Sequence, residues 1–221
     1  MIRFQGTANT LGLLFCGTMT ASMSHEIKNA LAIVNENAGL LEDLLLLSEK
    51  GRPLNPERLK TLAADIRRQV QRADSIVGRL NRFAHSAGQP VITTDTKELF
   101  EFTAALATRM AAMKGVNITV AADETIYLQA RPFIVENLLW LCLKNLFSVC
   151  TGGNQTVHLG AENADSHVVL SLQFDEGVPV EEIGKLVMQE GQPLIVALQA
   201  DVSVDVQRSW IRLTLPKKFE E

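Results

Sequence analysis

The sequence predicts an α+β chain in two parts: a helical hairpin that pairs into a dimeric four-helix bundle, then a two-layer α/β sandwich. Three observations carry this expectation. Two long stretches ahead of residue 87 repeat apolar residues every three or four positions, the period of an amphipathic helix. Between them, Gly51-Arg52-Pro53-Leu54-Asn55-Pro56 is a breaker short enough to fold one helix back on the other. Past Gly88-Gln89-Pro90 the pattern changes to short β-rich runs between helical ones. The domains are therefore placed at 1–87 and 88–221.

The first helix is expected over about residues 9–48, which hold no proline and only three glycines, Gly12, Gly17 and Gly39. At about 100° per residue, Cys16, Met23, Ile27, Leu31, Val34, Ala38, Leu41 and Leu45 form one stripe, within roughly 60° of the direction opposite His25. His25 is thus expected in solvent. Leucines crowd Leu40–Leu47 and make the lower end apolar nearly all round, which calls for burial in a bundle.

Asn55 and Pro56 read as the N-cap and first residue of a second helix. It runs to about His85, with Leu59, Leu62, Ile66, Val70, Ala73, Val77, Leu80 and Phe83 at helical spacing. A lone hairpin cannot cover two wide apolar stripes, so a homodimer is expected. The second helix is also basic: Arg58, Lys60, Arg67, Arg68, Arg72, Arg79 and Arg82 outnumber Glu57, Asp65 and Asp74. Such a face is mainly solvated, and part of it can attract an acidic partner.

The second part alternates expected helices at 96–114 and 131–150 with strands at 116–121, 125–129, 156–159, 167–174, 202–206 and 210–215. Helices between strands suggest one helical layer on one face of a mixed sheet.

A hydrophobic share of 47% with 21% charged residues suits a soluble globular chain, and a net charge of −4 argues against whole-protein binding to nucleic acid or acidic membranes. No uninterrupted apolar run approaches the roughly 18 residues of a membrane span. Arg3 ahead of Leu11-Gly12-Leu13-Leu14-Phe15-Cys16 resembles a targeting signal, but bulky Phe15 argues against cleavage and the same residues continue the helical stripe. The stretch ahead of His25 is expected to hold no sensor domain, so a signal is expected through another protein. Cys16, Cys142 and Cys150 are odd in number and lack metal-ligand spacing, which fits reduced thiols in a cytoplasmic protein. No metal site is expected: Glu36, Glu42 and Asp43 read as solvated helix charges, and His85, His158 and His167 carry no motif.

The run Ser24-His25-Glu26-Ile27-Lys28-Asn29-Ala30-Leu31 resembles the phospho-acceptor box of two-component histidine kinases, which commonly has proline where Ala30 stands. The resemblance implies that His25 is the phosphoryl acceptor. An unperturbed imidazole titrates near about 6.5, so at neutral pH most of it offers a free ring nitrogen. By the same resemblance Glu26 orients or deprotonates the ring. The resemblance also implies a role for Asn29, one turn along the same face: in family members that are also phosphatases, an amide there aligns the water that hydrolyses a phospho-aspartate. Without the proline, the helix is expected to bend less below the acceptor.

The order of acceptor helix, second helix, linker and α/β domain resembles a histidine kinase catalytic core over nearly the full length. In that family an asparagine on the nucleotide-box helix holds magnesium and ATP; Asn137-Leu138-Leu139-Trp140-Leu141-Cys142-Leu143-Lys144-Asn145 resembles this helix, with Asn145 as the ligand and Thr151-Gly152-Gly153 following. The DxGxG box that binds adenine reads Asp175-Glu176-Gly177-Val178-Pro179, with Pro179 in place of the second glycine. The glycine-rich phosphate box reads Gly191-Gln192-Pro193-Leu194-Ile195-Val196. Pro193 has no N–H to offer a phosphate and Ile195 brings a branched side chain where glycine permits contact. Only 13 residues separate Gly177 from Gly191, too few for the family's ATP lid.

With these losses the chain is similar to histidine phosphotransferases derived from kinases. Those are dimers with an acceptor histidine and a degenerate ATPase-like domain that helps hold a receiver domain. The resemblance implies a phosphorelay function: His25 takes a phosphoryl group from one receiver aspartate and gives it to another. Neither ATP nor a resident metal is needed, because magnesium comes with the receiver. Asn145, Asp175 and Gly177 are then a vestigial nucleotide site. Two other readings stand beside this one: an ATP-dependent kinase or response-regulator phosphatase, and a non-catalytic adaptor that sequesters a regulator or kinase.

Overall fold

The protein is described here by a computed structural model covering residues 2–121, 124–150 and 154–218, with side chains described from residue 8 onward. Two compact units form: residues 17–84, and the residues before 17 together with those from 85 onward. Thr151-Gly152-Gly153, singled out in the sequence, lies outside the described residues.

The first unit is a hairpin of α1 (Ile2–Glu49) from residue 17 onward and α2 (Pro56–Ser86) up to residue 84. The breaker works as expected. The Gly51 and Arg52 N–H groups donate to Ser48 and Leu47 carbonyls at 2.9 and 3.1 Å, and Gly51 adopts a left-handed φ of 85° that a side chain would disfavour. Asn55 caps α2, its Oδ1 accepting from the Glu57 and Arg58 N–H groups at 3.0 and 3.4 Å. Glu26 of α1 pairs with Arg79 of α2. Each lies 23 residues from the helix end that borders the turn, so the hairpin is antiparallel and unslipped.

Met23, Ala30, Leu62, Ile76 and Phe83 are buried, and Val34, Leu41, Ile66, Ala73 and Leu80 are half-buried. The expected stripe is therefore only partly covered within one chain. Leu31 and Leu45 stay exposed on α1, as do Val70 and Val77 on α2. Each set is displaced in the same rotational sense from its helix's inward line, and in an antiparallel pair that brings both to one flank of the hairpin. Leu40, Leu46 and Leu47 near the turn are also exposed.

The second unit adds β1 (Ile92–Asp95), α3 (Thr96–Lys114), β2 (Val116–Val120), β3 (Tyr127–Ala130), α4 (Pro132–Val149), β4 (Gln155–Ala164), β5 (His167–Phe174), α5 (Val180–Glu190), α6 (Gln192–Ala197), β6 (Asp201–Asp205) and β7 (Trp210–Pro216). A five-stranded sheet runs β2-β4-β5-β7-β6, and β1 pairs separately with β3. Only the β2–β4 pairing is parallel; the others are antiparallel, so the sheet is mixed as expected.

One face of the sheet is the core face. Val157 and Leu159 of β4, Val168, Leu170 and Leu172 of β5, and Ile211, Leu213 and Leu215 of β7 are buried in strict alternation with less buried neighbours. Among the helices of this layer, α4 is the most deeply buried. By length and composition it would pass for a membrane span, yet Val135, Leu138, Leu139 and Leu143 are fully buried in the domain. Phe15, at the start of α1, seals one side of α4, its ring centroid 6.3 Å from Trp140 and 5.5 Å from Phe133. Cys142 and Cys150 are core thiols; burial pushes Cys142 up to about 12, opposed by a backbone hydrogen bond.

Two helices and a strand depart from expectation. In the interval read only as degenerate nucleotide boxes, Val180, Ile183 and Val187 at helical spacing build α5, and α6 follows at once. Gly184 lets α5 press onto β6, since a Cβ there would stand 2.3 Å from Val204 Cγ2. The four-residue β1 was hidden by its length, and its last residue, Asp95, caps α3 by accepting from the Lys97 N–H at 2.9 Å.

Candidate functional site

Unbroken helix carries His25 past the position where a proline is common, and Ala30 is fully buried there. Ser24, His25, Lys28 and Asn29 are exposed, whereas Glu26 and Ile27 turn inward. The histidine expected in solvent is in solvent, with Asn29 exposed one turn along the same face. An imidazole so placed meets a docking partner with little to move aside.

Glu26 takes a different direction from its neighbour. Its Oε2 lies 3.4 Å from Arg79 Nη2 across the hairpin, with both side chains mostly buried. The carboxylate is engaged by a cation on α2, not by the His25 ring. In the sequence Arg79 is one of several arginines on a basic helix face. Its equal distance from the turn was the signal that could have singled it out.

The three residues assigned to a vestigial nucleotide site lie in the second unit. Asn145 is 3% exposed in the last turns of α4, and its Nδ2 has no hydrogen-bond partner among the described residues. Asp175 is bonded to the backbone: its carboxylate accepts from the Thr156 N–H, and its own N–H donates to the Thr156 carbonyl at 3.2 Å. Gly177, with φ of 89°, makes the turn that follows, closed by the Val178 N–H on the Asp175 carbonyl at 3.3 Å.

The phosphate box has become packing. Gly191 joins α5 to α6 so tightly against α4 that a Cβ would meet Val187 O at 2.6 Å and Leu141 Cδ2 at 2.9 Å. The N–H groups of Leu194 and Ile195 donate to the Gly191 carbonyl, both at 2.9 Å, and Pro193 has none. Lys144 of α4 pairs with Glu190 of α5 at 3.2 Å, holding the two helices together.

No group of three or more His, Cys, Asp or Glu that could hold a metal occurs among the described residues. Glu36, Glu42, Asp43, His85, His158 and His167 are exposed.

Residues 17–88 match the His Kinase A (phospho-acceptor) domain model. No curated protein matches the chain. Among solved structures, the catalytic domain of histidine kinase ThkA aligns with a TM-score of 0.50 at 13% identity, covering 58% of this chain and 97% of that one. The Acinetobacter baumannii histidine kinase AdeS aligns with a TM-score of 0.45 at 14% identity, over 88% of this chain and 98% of that one. ThkA solved in complex with the response regulator protein TrrA aligns with a TM-score of 0.48 at 16% identity, over 93% of this chain and 63% of that one. Residues 17–88 thus match a phospho-acceptor domain model, and the domain that follows has the fold of a histidine kinase catalytic domain.

Proposed function

We propose that this protein relays phosphoryl groups between receiver-domain aspartates through His25, without using ATP, as a cytoplasmic homodimer. The observation that carries the reading is a contrast. The acceptor histidine is exposed on a rigid helix, while Asn145 is buried, Asp175 is bonded to backbone and Gly191 is packed against α4.

Transfer to His25 forms a nitrogen–phosphorus bond as the acyl-phosphate bond of the donor aspartate breaks, and the ring nitrogen gives up any proton it carries to solvent. The receiver's magnesium neutralises the phosphoryl oxygens in both directions of transfer. The chain supplies position: a stiff helix, an exposed imidazole, and Glu26 fixed by Arg79 so that it does not compete for the ring. The basic face of α2 adds attraction for an acidic partner surface. The exposed flank of Leu31, Leu45, Val70 and Val77 supports the dimer.

A phosphatase arm has one observation in its favour, the exposed Asn29 amide on the histidine face. The ATP-dependent reading is disfavoured by the packed Gly191 elbow, and the pure adaptor by an acceptor histidine held free in solvent.

The test mixes the protein with a receiver domain phosphorylated by a small-molecule phosphodonor. Label is expected on the wild-type protein and not on His25→Ala, which remains folded because an exposed helical side chain contributes little packing. Label on His25→Ala would remove His25 from the mechanism.

A further inference from the structure

We propose that the first turns of α4 and the described start of α1 form a binding site for a small carboxylate with an apolar body, apart from Asn145, Asp175 and Gly177. A cleft of about 700 Å³ opens there, within the second unit. Its size is that of a small-molecule site.

The apolar walls come from Gly12 and Leu13 of α1, Phe133 and Ile134 of α4, and Leu194 of α6. Gly12 keeps the space open beside the Phe133 ring, since a Cβ would already stand 3.3 Å from its Cε1. Leu13 remains 73% exposed at the rim, a large side chain that an apolar occupant would cover.

Two polar groups give the occupant its chemistry. Arg131 lines the cleft at the N-cap of α4, exposed and with no ion-pair partner among the described residues. It stands at the positive end of an 18-residue helix, so cation and helix dipole favour the same anionic group. Asn137 lines the cleft nearly two turns further in, is only 4% exposed, and its Nδ2 has no hydrogen-bond partner among the described residues. Buried amides are ordinarily satisfied. A carboxyl or carbonyl oxygen in the cleft would satisfy this one, because the amide presents donor or acceptor by turning about its last bond.

The cleft shares Leu194 and Asn137 with the runs compared to nucleotide boxes, but Asn145, Asp175 and Gly177 do not line it, and Asn137 precedes Asn145 by more than two turns. One wall belongs to the helix that carries His25, so an occupant would touch the acceptor helix itself. The inference does not depend on the phosphotransfer reading.

The probe is 4-phenylbutyrate, titrated into the full ¹⁵N-labelled chain and followed by two-dimensional NMR. Saturable shifts are expected for the Gly12 and Phe133 amides and the Asn137 side-chain NH₂. Arg131→Ala, an exposed change that leaves the fold intact, should weaken binding by about tenfold, the size of one lost charge-assisted hydrogen bond. The uncharged 4-phenylbutanol should lose as much, and Asn137→Leu should remove binding while keeping native peak dispersion. The proposal is overturned by the absence of saturable shifts, by an affinity that Arg131→Ala leaves unchanged, or by shifts confined to the Leu45 and Val70 flank.

Discussion

Glu26 and Arg79 close the hairpin beside His25, with Oε2 of one 3.4 Å from Nη2 of the other and each the same distance from the turn. The pair therefore reads as a register clasp under the acceptor. Glu26→Ala and Arg79→Ala should each lower stability, and the double variant should cost less than the two together, with a coupling of about 1 kcal/mol. Urea unfolding of the four proteins measures this. Strict additivity would mean the clasp contributes nothing, and a selective loss of phosphate acceptance in Glu26→Ala alone would return the carboxylate to the imidazole.

Much of this was legible in the sequence, for identifiable reasons. Long helices with a clean 3.6-residue period and a breaker between them declare themselves, and so does the strand alternation of β5 and β7. The exposure of His25 followed from the direction of the stripe opposite it. Less visible was the inward turn of Glu26, because its partner is 53 residues away and belongs to a helix with many arginines. Helix α5 is short, and its helical spacing of Val180, Ile183 and Val187 overlaps the run that resembles nucleotide boxes, which obscures it. The cleft at Asn137 needed four separate chain segments brought together, which no local pattern announces.

Leu45 tests the dimer. It is 47% exposed in the single chain, on the flank it shares with Leu31, Val70 and Val77, and a partner hairpin would cover it. Leu45→Asp should cost about 3–5 kcal/mol of dimer stability as an unpaired buried charge and yield monomers in sedimentation. A wild-type protein that sediments as a monomer at micromolar concentration would remove the bundle from the mechanism.

Asn29→Ala should slow the loss of phosphate from a partner phospho-aspartate to water and leave transfer to His25 nearly unchanged. The amide is exposed one turn from His25 and can both donate to and accept from a water. Following free phosphate and protein-bound label in the same reaction separates the two steps. If both fell together, Asn29 would belong to the docking surface.

ATP should neither bind tightly nor label His25. Phosphate recognition of this kind needs several backbone N–H groups converging at a helix start, with a lid to exclude water. Here Pro193 has no N–H, those of Leu194 and Ile195 are bonded to Gly191, and the interval before Gly191 is the packed helix α5. Asp175 is engaged by Thr156 and Asn145 is buried, so two further contacts would have to be broken or uncovered before a nucleotide met them. Losing even two charge-assisted hydrogen bonds, at about 1.5–3 kcal/mol each, weakens binding by roughly two to four orders of magnitude. Calorimetry with ATP and magnesium, beside labelling from γ-labelled ATP, measures both quantities. Asn145→Asp should change neither, because a residue without a nucleotide has no affinity to lose. Micromolar ATP affinity accompanied by label on His25 would place the chain among the ATP-dependent kinases instead.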